Sequence, residues 1–131
     1  MICADEAQED LAGVLAVSAK VSRPTWRDRT YSCTYRYPTG SFHVAVTEFP
    51  KIAPARDTFT RLAADPTVAQ PDLGMADGSF LRTDGSVVVR TDRRILEIDP
   101  TRLPSHFAKL ELTRPAVAQV VATTILKCWK G

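Results

Sequence analysis

Tight turns between short alternating runs constrain this chain more than any other feature. Residues 31–37 place Tyr31, Cys33, Tyr35 and Tyr37 in alternation with Ser32, Thr34 and Arg36, the period of a half-buried strand. Pro38-Thr39-Gly40 follows as a turn, and Phe42, Val44 and Val46 alternate on the way back until Pro50, which cannot donate to a ladder. Residues 79–83, 86–91 and 94–98 repeat the device, with Asp84-Gly85 and Thr91-Asp92-Arg93 as connections. Connections this short join only antiparallel neighbours. The expected sheet therefore has about five strands, a hairpin plus a three-stranded meander.

Three helical segments surround these runs. Residues 5–17 carry Ala7, Leu11, Val14 and Leu15 at helical spacing, with Asp5 as cap and Glu6 and Glu9 near the positive end of the dipole. Pro54 suits the opening of a second helix with Ala55, Phe59, Leu62 and Ala63 on its apolar face, and Asp65-Pro66 stops it. The last helix runs from Arg114 to about Trp129 behind Thr113, with the stripe Val117, Val120, Val121, Thr124 and Ile125. Residues 22–26 read as an extended connector, 67–74 as a loop and 102–112 as irregular chain. The element order implies an α+β fold, an antiparallel sheet packed with two to three helices in an αβα-sandwich-like arrangement. At 131 residues it forms one domain with a single core.

Charge narrows the partners. Seventeen basic and fifteen acidic residues give a net charge of +2, with the cations dispersed, whereas a phosphate-backbone footprint needs them clustered. Nucleic acid is not expected as a partner. The apolar stretch 11–17 is far short of the roughly 20 residues that cross a bilayer. Met1-Ile2-Cys3-Ala4 has neither the basic nor the apolar region of a signal peptide, so the expectation is a cytosolic protein or a trimmed exported one.

Cys3, Cys33 and Cys128 each fall where a side chain should face inward. Their spacing of tens of residues lacks the close pairs of a zinc site, and no metal or cofactor is expected. In an oxidising compartment they can staple the ends of the chain to its middle. The preferred bond is Cys3–Cys33, with Cys33–Cys128 or Cys3–Cys128 as alternatives. Closing a loop of about 30 residues would stabilise by roughly 3 kcal/mol.

No nucleophile–base pair, carboxylate pair or phosphate loop appears, so no catalytic residue is assigned. Trp26 with Tyr31, Tyr35 and Tyr37 reads as a core face, Trp26 excepted. His43 points away from Phe42 and Val44, beside Ala45 and Thr47, and is expected at the surface. Arg90, Arg93 and Arg94 gather around one turn near Asp92 and, with Arg82, offer an anionic-ligand site or solvated cross-strand pairs. Asp72, Asp77, Asp84 and Asp92 occupy turns, where Asp serves the backbone.

The framework of Cys3 before an acidic helix, Tyr31-Ser32-Cys33-Thr34-Tyr35-Arg36-Tyr37, Asp84-Gly85-Ser86-Val87-Val88-Val89-Arg90 and Ile125-Leu126-Lys127-Cys128-Trp129 resembles the extracytoplasmic domains of uncharacterised actinobacterial lipoproteins and secreted proteins. That resemblance implies an export signal or lipid anchor upstream, a location outside the cytoplasm, and membrane association only through that anchor. The element order also suits the αβα sandwich of PsbP-like proteins, at the level of fold alone. The functional expectation is a non-enzymatic cell-envelope domain that binds a protein, a lipid or a small ligand. The alternatives are an enzyme with a site near His43 or Arg90, Arg93 and Arg94, and a cytosolic interaction protein with reduced thiols.

Overall fold

The structure, a computed structural model, describes residues 5–130. Its elements are α1 (Asp5–Leu15), β1 (Lys20–Val21), β2 (Thr25–Arg27), β3 (Thr30–Tyr37), β4 (Gly40–Glu48), α2 (Ile52–Ala63), β5 (Val68–Gln70), β6 (Gly78–Arg82), β7 (Val87–Thr91), β8 (Arg94–Asp99) and α3 (Arg114–Lys130). The α+β class holds, and the strand count is corrected: the open antiparallel sheet has eight strands, ordered β1-β3-β4-β8-β7-β6-β5, with β2 also on β3. The expected hairpin and meander are joined side by side by pairing of β4 with β8, from His43 opposite Asp99 to Glu48 opposite Arg94.

The three added strands are short and lie at the sheet's edges. β1 lies just before the expected connector and β2 overlaps its end, the two pairing along β3 with an interruption near Pro24; β5 comes from the expected loop and pairs with β6 through a register irregularity. Two- and three-residue strands carry too little alternation to register as β periodicity. They cover the outer edges of longer strands, which would otherwise expose unpaired backbone groups.

One sheet face is apolar throughout. Cys33, Tyr35, Phe42, Val44, Val46, Val87, Val89, Leu96 and Ile98 pack there against Leu11 and Leu15 of α1 and Val117, Ala118, Val121, Ala122 and Ile125 of α3. The α3 stripe is thus rotated from the expected one: Val120 and Thr124 are only half-buried, and Ala118 and Ala122 are buried in their stead. Val14 of α1, expected inside, is exposed. Tyr35 stacks on Phe42 at 4.8 Å between centroids, and Tyr37 meets Phe107 edge-on at the same separation, so residues 102–112 close one end of this core. Burial first, then the neighbouring Cys128 and Tyr31, pushes the Tyr35 phenol up to about 12, and burial raises Tyr37 as well.

The opposite face has a smaller cluster. Phe80, Val88 and Ile95 are buried beneath Phe59, Leu62 and Ala63 of α2. Gly78 admits that helix, since a Cβ there would stand 2.8 Å from the Phe59 ring. The β3–β4 half of this face has no helix over it, and Ser32, Thr34, Arg36, Ser41, His43 and Thr47 occupy it.

Candidate functional site

Two turns at the same end of the sheet build a cleft lined by arginines. Asp28 and Arg29, between β2 and β3, both adopt the left-handed conformation, with φ of 51° and 62°. Such a two-residue turn follows the twist of its strands, although the conformation costs a non-glycine residue about 1 kcal/mol. In the β7–β8 turn Asp92 has φ of 56°, and its N–H donates to Asp77 Oδ2 at 2.7 Å. The end of β4 ties the turns together: Glu48 N–H donates to Arg29 O at 2.9 Å, and Phe49 N–H to Arg93 O at 2.8 Å.

The resulting cleft, about 430 Å³, is walled by Arg29, Arg93 and Arg94 and floored by Trp129 and Leu126 of α3. The Arg94 guanidinium lies 5.4 Å from the Trp129 ring centroid and its Nε 3.6 Å from Glu48 Oε1. Arg93 Nη1 donates to Pro50 O at 3.4 Å. Arg29 forms no ion pair among the described residues. Three guanidiniums against the carboxylates of Glu48 and Asp92 leave the lining cationic. The Trp129 indole N–H is buried with no hydrogen-bond partner among the described residues, an arrangement that ordinarily costs about 1–3 kcal/mol.

The expected arginine cluster is divided by the sheet. Arg93 and Arg94 line this cleft. Arg90, opposite Ile95, lies on the α2 face and donates from Nη1 to Asp92 O at 3.0 Å; Arg82 Nη1 approaches Glu97 Oε2 at 3.9 Å, with its guanidinium 5.7 Å from the Phe80 ring centroid. Their places are taken by Arg29 and Trp129, which the sequence did not associate with Arg93. The local signal was Arg27-Asp28-Arg29 after an exposed Trp26, but no pattern within the chain links residues 29, 93 and 129.

The remaining residues separate from this site. His43 is exposed, as expected, with Nδ1 2.9 Å from Thr34 Oγ1, in a groove at the other end of the opposite face. Trp26 is exposed while Tyr35 is buried, also as expected. Cys33 faces the core. Cys3 lies outside the described residues, and with it the Cys3–Cys33 pairing. The alternatives using Cys128 are corrected, because Cys128 is a free thiol, half-buried at the rim of α3, donating to Asp10 Oδ2 at 3.2 Å. That hydrogen bond, then burial and the charges of Asp10 and Glu6, hold the thiol above its ordinary pKa. Glu6, Asp10 and Cys128 place potential ligand atoms within 4.8 Å of one another, a grouping invisible in sequence because α1 and α3 lie at opposite ends of the chain.

Asp77 and Asp84 serve turns, as expected. Asp84 Oδ1 accepts from Ser86 N at 2.8 Å and Ser86 Oγ at 2.6 Å; burial opposes ionisation, but these bonds prevail and lower its pKa. No described helix is long and apolar enough to cross a membrane. Comparison with known proteins finds no matching family model, no matching curated sequence and no matching solved structure.

Proposed function

We propose that the protein is a cell-envelope recognition domain that seats an anionic group in the Arg29–Arg93–Arg94 cleft, by binding and without turnover. The observation that carries this reading is the convergence of arginines from two separate turns on one cleft, in which Arg94 lies over the Trp129 ring. Guanidiniums match carboxylate and phosphate oxygens bidentately, and each such bond is charge-assisted. The lining contains no cysteine or histidine to act as nucleophile or proton shuttle.

The location rests on the sulfurs and on the resemblance to envelope domains. With Cys128 free, Cys3 is the one partner within the chain for the inward-facing Cys33, and that bond belongs to an oxidising compartment. Thiol counting on unreduced protein should find one reactive cysteine, and three after reduction and unfolding. Three reactive thiols before reduction would place the protein among reduced, cytosolic chains.

Binding is tested by tryptophan fluorescence in a Trp26→Phe background, where Trp129 is the reporter, with citrate as the anionic probe. Arg29→Ala and Arg93→Ala should each weaken citrate binding about tenfold, the value of one lost charge-assisted contact. Citrate affinity untouched by both substitutions would exclude the cleft.

A further inference from the structure

We infer that the groove over the uncovered half of the sheet is a separate binding site for a phosphate-class oxyanion, built to prefer hydrogen phosphate over sulfate. Pairing places Thr34, His43 and Asp99 in one row across β3, β4 and β8, with Arg36 and Ser41 in the next. Strand alternation puts all five on the face away from Tyr35, Phe42 and Val44. These side chains and Arg102 line a polar hollow of about 430 Å³.

Arg102 is delivered by a fitted loop. Gly40 lies against the Arg102 carbonyl so closely that a Cβ would collide with it, and Ser41 N–H donates to that oxygen at 3.3 Å. Asp99 Oδ1 accepts from Thr101 N at 2.9 Å and Thr101 Oγ1 at 2.6 Å, shaping the same turn, while buried Leu103 anchors its far side. The loop therefore closes the end of the groove.

The charges are left open for a ligand. Arg82 and Arg94 have Glu97 and Glu48 beside them, but Arg36 and Arg102 form no ion pair among the described residues. Two guanidiniums, the Ser41 hydroxyl and the imidazole offer donors to a tetrahedral oxyanion. When the Thr34 hydroxyl donates to His43 Nδ1, the neutral ring carries its proton on Nε2 as a further donor. Asp99 supplies the discrimination. Hydrogen phosphate has an O–H that can donate to a carboxylate, whereas sulfate at neutral pH has none and meets only repulsion.

The test is calorimetry with inorganic phosphate and, separately, sulfate, at pH 7 and constant ionic strength. Phosphate should bind at least tenfold more tightly than sulfate; Arg36→Gln and Arg102→Gln should each lower phosphate affinity tenfold or more, while Arg56→Gln, at an exposed position of α2 outside both clefts, leaves it unchanged. Asp99→Asn should bring sulfate to within about threefold of phosphate, with unchanged circular dichroism showing an intact fold. Phosphatidylcholine vesicles carrying phosphatidic acid distinguish the source: capture lost in Arg36→Gln, without binding of free phosphate, identifies a lipid headgroup. Equal affinities for sulfate and phosphate, or binding indifferent to both arginine substitutions, would overturn the assignment.

Discussion

The two halves of the α2 face share one sheet and differ in almost everything else. Over the meander, Phe80, Val88 and Ile95 are covered by Phe59 and Leu62; over the hairpin, Arg36 and His43 are exposed and Thr34 and Ser41 half-buried, with no helix above them. The twelve residues of α2 span roughly 18 Å at 1.5 Å each, whereas seven strand positions about 4.8 Å apart extend close to 29 Å. One short helix cannot cover both halves. The chain places apolar side chains where the helix lies and polar ones where it does not, so the open half is free to recognise ligands without loss to the core.

The comparison is broken most forcefully at the covered half. Phe80→Ala removes a fully buried ring and should cost about 3–5 kcal/mol in chemical denaturation; Thr34→Ala, on the open half, should stay within about 0.5 kcal/mol. Similar costs at the two positions would mean that the open half is covered in solution. Gly78→Ala comes next, at about 1–3 kcal/mol, because its methyl displaces Phe59 from the sheet. A neutral Gly78→Ala, measured by thermal unfolding, would indicate that α2 is loosely docked.

The smallest effect concerns the β6–β7 turn. Removing the Asp84 carboxylate in Asp84→Ala should cost about 1 kcal/mol at pH 7. Because folding lowers this pKa, the contribution is complete above the ordinary carboxylate value and disappears as pH falls below about 4 through the folded value. Wild type and variant should therefore converge in stability at low pH. A gap that persists at pH 2 would locate the effect in backbone conformation, not in the ionised carboxylate.

How much of this was legible depends on the range of the forces involved. Asp84-Gly85, with Gly85 at φ of 91°, and the alternation around Tyr35 are local rules read from adjacent residues, and both formed as expected. The inward face of Cys33 and the outward face of His43 follow from the same two-residue period. In α3, Val117, Val121 and Ile125 are buried as expected, but Ala118 and Ala122 take the places of Val120 and Thr124, a choice between flanking residues that hydrophobicity alone does not reveal. Arg90 left the arginine cluster because it pairs opposite Ile95 on the α2 face, whereas Arg94, the residue before Ile95 in β8, points to the other side.

Turn chemistry and side-chain alternation, which act over a few residues, determined from sequence alone that this chain would form antiparallel hairpins with one apolar face. Tertiary structure decided that β4 would lie beside β8, and with that pairing came both clefts: Arg29 against Arg93 at one end, His43 beside Asp99 at the other. Pairing between distant strands is selected by how well whole faces pack beneath helices, an energy shared among many residues and written in no single stretch of them.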